Sequence, residues 1–180
     1  MPTLQHIRQR LTRFLRHGES GQAFIELAFV VMMLAVLLFG LIDFGRFLYE
    51  RQIVVNLSRE GANLVLRNTA VTNAATAVMN SASPLKMATQ GRLIMSTVTN
   101  SNGVRRVTSQ YATGGLASGS ASKLGVLNAV ATMPATTTVI PAAGKVLYVT
   151  EVYYKFTPIT PVGKLLQLAA PSNLYDVAYF

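Results

Sequence analysis

The chain has 180 residues, enough for one ordinary domain of about 100 to 150 residues plus an anchor, and no more. It has no cysteine, which excludes a disulfide framework, a thiolate zinc site and a thiol nucleophile. The net charge of +9 raises nucleic acid as a partner, but its distribution argues against one: Arg8, Arg10, Arg13 and Arg16 precede an apolar run, and the other cations are scattered apart from Arg105-Arg106. Hydrophobic residues make up 51% of the chain and mean hydropathy is +0.37, an excess concentrated between residues 23 and 42.

Residues 1–21 carry four arginines, two histidines and one acid, with Leu4, Ile7, Leu11, Phe14 and Leu15 at helical spacing. Two readings fit: a basic amphipathic helix on a membrane surface, or an ordinary positively charged leader. Both place this end in the cytoplasm, because lysine and arginine beside a span stay inside. Residues 22–42 contain a single charge, Glu26, and as a helix they measure about 31 Å, which matches a hydrocarbon core of about 30 Å. This predicts a transmembrane helix whose lipid-facing residues include Leu27, Val30, Leu34, Leu37, Leu38 and Leu41. A cleaved secretory signal ends in a small-x-small site, whereas this run ends in Gly40-Leu41-Ile42-Asp43, so the anchor is expected to stay.

Beyond the span, Asp43, Arg46 and Glu50 form a charged stripe at spacings of three and four, and Phe44, Phe47 and Tyr49 suit a membrane boundary. Phe47, Val54, Leu57, Gly61 and Leu64 continue the three-four pattern, so the helix is expected to run amphipathically to about Arg67. Residues 71–79 add a further helical turn or two before Ser81-Ala82-Ser83-Pro84 stops them, and residues 43–80 together make a helical extension and stalk.

Residues 81–180 read as an extracytoplasmic, strand-rich domain. Residues 92–99 and 104–111 flank the turn Asn100-Ser101-Asn102-Gly103. Residues 113–122, rich in glycine and serine, are expected to be a mobile loop, and 123–131 are ambiguous, with a short helix as one alternative. In residues 145–156, Val146, Tyr148, Val152, Tyr154 and Phe156 share one face of a strand. That strand ends at Thr157-Pro158-Ile159-Thr160-Pro161, and residues 174–180 supply a last one. The expected fold class is therefore α+β: a long N-terminal transmembrane and amphipathic helix, then a small antiparallel sheet.

The sequence gives little material for catalysis. His6 and His17 both lie in the leader, and the only acids after residue 60 are Glu151 and Asp176, so neither a Ser/His/Asp arrangement nor an oxygen-ligand metal site is expected. Glu151 interrupts an apolar strand and reads as a solvent-facing residue. The glycines of residues 113–119 lack the strand and helix flanks of a phosphate loop. No catalytic residue, metal or cofactor is predicted, and no nucleic-acid partner.

Glu26 is the exception. Burying a carboxylate in hydrocarbon costs about 2.5 to 3.5 kcal/mol on insertion scales, so either it has a partner or, four residues inside the span, it snorkels to the headgroups. The spacing of Gly21 and Glu26 at the head of an apolar helix resembles the processing site of type IV pilin-like proteins. In these a prepilin peptidase cuts after the glycine, here between Gly21 and Gln22, leaving Glu26 as the fifth mature residue. The wider segment is similar to the TadE-like family of minor pseudopilins of the tight-adherence (Flp-type) pilus machinery. It runs from Gly18-Glu19-Ser20-Gly21 through Asp43-Phe44-Gly45-Arg46 to Leu57-Ser58-Arg59-Glu60-Gly61-Ala62. Tyr153-Tyr154-Lys155-Phe156-Thr157-Pro158-Ile159-Thr160-Pro161 is similar to a strand and proline turn late in such proteins. Leu27 departs from the aromatic that family members often carry after the glutamate, and Gln22 from the phenylalanine that major pilins expose.

The resemblance implies a pilin-like fold and a single-pass bacterial inner-membrane protein, its N-terminus cytoplasmic and its C-terminal domain outside, with incorporation into a pilus as the further expectation. The partners it implies are the membrane, the prepilin peptidase, other pilin or pseudopilin subunits and pilus assembly proteins, with Glu26 as the assembly carboxylate. The alternative is an uncleaved single-span envelope protein whose outer domain binds a ligand or an envelope partner.

Overall fold

The computed structural model describes residues 3–117, 119–133, 141–164 and 172–180, with residues 3–20 described by their backbone alone. One helix, α1 (Thr3–Leu66, 64 residues), occupies the first third of the chain. It stops where Asn68 turns left-handed (φ 61°) and the N–H groups of Asn68 and Thr69 bond back to the carbonyls of Val65 and Leu64, which satisfies the last turn. Two shorter helices follow, α2 (Val71–Ser81) and α3 (Met87–Gln90).

Four strands form one antiparallel sheet in the order β2-β1-β3-β4: β1 (Gly91–Ser101), β2 (Val104–Thr113), β3 (Val146–Lys155) and β4 (Asn173–Tyr179). The first hairpin is tighter than the four-residue turn expected from sequence. Ser101 pairs with Val104, and only Asn102 and Gly103 turn, at φ 52° and 84°, the primed-turn geometry that matches strand twist. The fold is α+β: the long helix, then a small antiparallel sheet.

The core lies between α1 and one sheet face. Phe47, Val54, Leu57 and Val65 from α1, with Ala74, Ala75 and Val78 from α2, pack against Leu93, Met95, Val152, Tyr154, Phe156 and Leu174. Alternation along β3 sends Tyr148, Thr150, Val152 and Tyr154 to this side, as the sequence predicts. Phe47 meets Phe156 edge to face, with ring centroids 5.4 Å apart, so of its two sequence readings, boundary aromatic and member of the packed three-four face, the structure gives it the second. Gly61 brings α1 closest to the sheet: a Cβ there would lie 2.8 Å from Thr150 Cγ2 and 2.9 Å from Met95 Cε.

The opposite sheet face corrects two expectations. It is not open to water, because the segment between β2 and β3 folds back over it: Leu124 and Ala131 cover Val98, Val107, Leu147 and Val149, while Leu116 covers Ile94 and Tyr153. The glycine-rich stretch expected to be a mobile loop is tied down, with Gly115 N–H bonded to Met87 O (3.3 Å) and Leu116 N–H to Gly91 O (3.0 Å). Residues 123–131 form turns and a single bridge from Val130 to Arg106, not a helix.

Candidate functional site

Among the described residues, nothing packs on the lower part of α1. Gly21–Leu66 contains an 18-residue window of mean hydropathy 2.8, none of it buried. The predicted lipid-facing residues Leu27, Val30, Leu34, Leu37, Leu38 and Leu41 are each between 53% and 65% exposed, near the limit for a helix with nothing packed on it. So much apolar surface needs cover from outside, and its length and composition suit a bilayer. Glu26 stands on this bare rod, exposed, and accepts one hydrogen bond, from Gln22 Nε2 one turn earlier at 3.1 Å. Nothing lies within 4 Å of where a Cβ on Gly21 would sit. The Gly21-Gln22 peptide bond lies inside the helix.

One turn past the span the surroundings change. Asp43 is fully buried and receives the loop that follows β3. Its Oδ1 accepts the N–H of Ile159 at 3.0 Å, and its Oδ2 accepts the N–H of Thr160 at 3.3 Å together with the Thr160 hydroxyl. Burial by itself raises the Asp43 carboxyl. The Thr160 hydroxyl, the two backbone N–H groups and nearby Arg46 outweigh it and hold the group below its usual range. Gly163 is required here, since a side chain would strike Pro158 and the Asp43 carboxylate. The two stretches quoted from opposite ends of the chain, the helix after the span and the proline turn, are thus one structural unit joined at Asp43.

Asp43, Phe47 and Glu50 share the packed face of α1, so two of the three charges read from the sequence as a stripe are buried against protein, with Arg46 partly exposed beside them. Arg46 Nη2 donates to Glu50 Oε1 at 2.8 Å. Burial pushes the Glu50 carboxyl above its ordinary value, although Arg46 opposes the shift by charge and hydrogen bond. Above this pair a groove of about 480 Å³ opens between α1, α3 and the start of the proline turn, lined by Tyr49, Lys86, Gln90, Tyr154 and Thr157. Further up α1, Ser58 hydrogen-bonds both Val55 O (2.9 Å) and the Asp176 carboxylate of β4, fixing the helix on the sheet beside Gly61.

Glu151 is the plainest correction. The residue expected to face solvent is fully buried under the segment that roofs the sheet. Its carboxylate accepts the Ser122 hydroxyl, the Lys123 N–H at 2.8 Å and the Tyr175 hydroxyl at 3.0 Å. Tyr153 donates to Ala121 O at 2.7 Å, and Lys123 Nζ lies 3.5 Å from the centre of the Tyr175 ring. Burial, and then the Glu151 charge, push the Tyr153 hydroxyl up to about 12 and raise Tyr175 as well. Both carboxylate oxygens are used in holding the roof. Alternation pointed to this face, but nothing local in the sequence says that a loop covers it.

No curated protein and no solved structure matches the chain. A family model does: "TadE-like protein", over residues 21–63. The matched residues run from the glycine before the apolar run, through Glu26, Asp43, Arg46 and Glu50, to the Ser58–Gly61 contact with the sheet, and over that segment, about a quarter of its length, the chain is similar to TadE-like proteins.

Proposed function

We propose that this chain is a minor pseudopilin, a membrane-anchored, non-enzymatic structural component of a tight-adherence pilus. It is inserted as a single pass into a bacterial inner membrane with its basic leader in the cytoplasm and its sheet domain outside. A prepilin peptidase cuts between Gly21 and Gln22, and the new amine on Gln22 lies about 6 Å along the helix from Glu26. Glu26 then pairs with the amine of a neighbouring pilin or pseudopilin subunit as the apolar helices bundle. Because an unpaired charge in hydrocarbon is unfavourable, that pairing selects the register in which a subunit enters. Losing four arginines and one glutamate with the leader takes the net charge from +9 to +6, which loosens the hold of the cytoplasmic face.

The observation that carries this reading is a carboxylate held only by Gln22 of its own helix, five residues after a glycine, on an apolar rod that has no partner among the described residues. The helical Gly21-Gln22 bond must unwind to enter a peptidase, and glycine lowers that cost by about 1 kcal/mol relative to alanine. The same unbroken helix favours the second reading, an uncleaved single-span envelope protein whose outer domain binds a ligand or an envelope partner. Mass spectrometry of the membrane-extracted protein separates them: a mature N-terminus at Gln22 is expected, and an intact leader selects the second reading. The Glu26→Ala protein is expected to insert normally but to impair piliation, and normal piliation would remove the assembly role.

A further inference from the structure

The groove above Arg46 and Glu50 contains two buried polar atoms of opposite character that nothing in the described protein satisfies: Arg46 Nη1, a donor, and Glu50 Oε2, an acceptor. Glu50 is only 6% exposed, so water reaches it poorly, and leaving such a group unpaired costs on the order of 1–3 kcal/mol. The guanidinium spends Nη2 on Glu50 Oε1, and the second half of each group remains free for a ligand. Lys86, exposed, adds a second cation to the lining of the same groove, and Gln90 and Thr157 supply further polar wall. A ligand that satisfies this wall carries an anion for Arg46 and Lys86 and an N–H cation for Glu50.

Position selects the source of that ligand. Arg46 lies four residues past Ile42, about 6 Å beyond the end of the span and within a headgroup layer that extends about 5 to 7 Å past the hydrocarbon, whereas Glu50 lies one turn further out, at about 12 Å, where only an ammonium extended to the solvent side of a headgroup phosphate reaches it. The lower lip of the groove includes Ile159, 67% exposed, whose N–H is held at the level of Asp43, the first residue past the span. An apolar side chain held at that depth belongs in the bilayer surface. We propose that the groove binds the phosphoethanolamine headgroup of a phospholipid in the domain-side leaflet, its phosphate accepting from Arg46 Nη1 and Lys86 and its ammonium donating to Glu50 Oε2. The bound lipid fixes the height and rotation of the domain over the membrane. This inference rests on residues 22–42 spanning a bilayer and is independent of cleavage at Gly21.

The test reconstitutes the full-length protein in vesicles of equimolar phosphatidylethanolamine, phosphatidylglycerol and phosphatidylcholine, re-extracts it in mild detergent and reads the retained lipid by native mass spectrometry. Choline has no N–H to donate to Glu50, so phosphatidylethanolamine is expected at about tenfold over phosphatidylcholine, the worth of one charge-assisted hydrogen bond. Glu50→Gln is expected to erase that preference and Lys86→Ala, at an exposed site, to weaken retention of all three lipids, with circular dichroism confirming that both variants fold. Equal retention of phosphatidylglycerol and phosphatidylethanolamine, unaffected by Glu50→Gln, overturns the zwitterionic assignment. Soluble phosphoethanolamine binding the detergent-solubilised protein as tightly as the lipid does overturns the membrane source. No lipid retained by a protein that resists carbonate extraction overturns the headgroup site alone, whereas a protein released by carbonate overturns the span together with it.

Discussion

The two halves of α1 on either side of Ile42 are built on the same helical backbone and treat their carboxylates in opposite ways. Below it, Glu26 has one weak local partner, Gln22, on a helix whose leucines face outward. Above it, Asp43 is surrounded by donors from a loop more than a hundred residues away in sequence, and Glu50 is pressed against Arg46. A buried charge stays ionised only if the fold provides its partners. The upper half finds most of them in its own domain and leaves only Glu50 Oε2 open, in the groove. Among the described residues the lower half offers only Gln22, which leaves the Glu26 carboxylate to be satisfied by another molecule.

Substitutions can break this contrast, and the largest effect is expected away from the helix. Glu151→Ala leaves three donors unsatisfied beneath the roof and is expected to lower stability by about 4 kcal/mol, read by thermal unfolding of the detergent-solubilised protein. A change within experimental error would mean that water already reaches the site. Asp43→Ala frees Ile159 and Thr160, at a cost of about 3 kcal/mol. Amide exchange at those two residues should accelerate while the β1–β3 ladder stays protected, and uniform acceleration would make Asp43 a general core residue, not a clamp. Gly61→Val drives a methyl group into Thr150 and Met95 and is expected to cost about 1–3 kcal/mol with Glu26 chemistry untouched.

Acid should dissect the same clamp. The Asp43 carboxyl is depressed in the folded protein, so its contribution is present above the unfolded value and is lost as pH falls through the folded one. Protection of Ile159 and Thr160 should therefore persist as pH falls through the ordinary aspartate range and fail only at lower pH. At the alkaline end, Tyr153 has the opposite sign: raised to about 12, it stabilises the fold below its unfolded value, and that contribution is lost as pH rises from about 10 to 12. Absorbance at alkaline pH should show tyrosine ionisation coinciding with unfolding. Glu26→Ala sits at the bottom of the scale and should leave the unfolding temperature unchanged. A clear shift would mean that Glu26 serves the fold of its own chain, contrary to the contrast drawn here.

The parts that were legible in the sequence are those in which one solvent acts on one periodic element. Hydropathy alone marks the span, the three-four spacing of Phe47, Val54, Leu57 and Gly61 carries α1 to its end, and period-two alternation with Asn102-Gly103 marks the strands. The fate of the charges was not legible in the same way. Glu151 and Asp43 look like surface residues because their partners, Ser122, Lys123 and Tyr175 for one and Ile159 and Thr160 for the other, come from irregular segments whose paths have no period to read.

Local composition thus determined where the chain is apolar enough to suit a bilayer, where it is helical and where it pairs as strands, because each depends on side chains a few residues apart. Only the tertiary structure decided which acids are spoken for. It alone joined the helix past the apolar run to the proline turn at Asp43, roofed Glu151, and opened one to two turns beyond that run a groove in which Arg46 and Glu50 each keep one polar atom unpaired. The reason is desolvation: the state of a carboxylate depends on what covers it, and the covering comes from far along the chain.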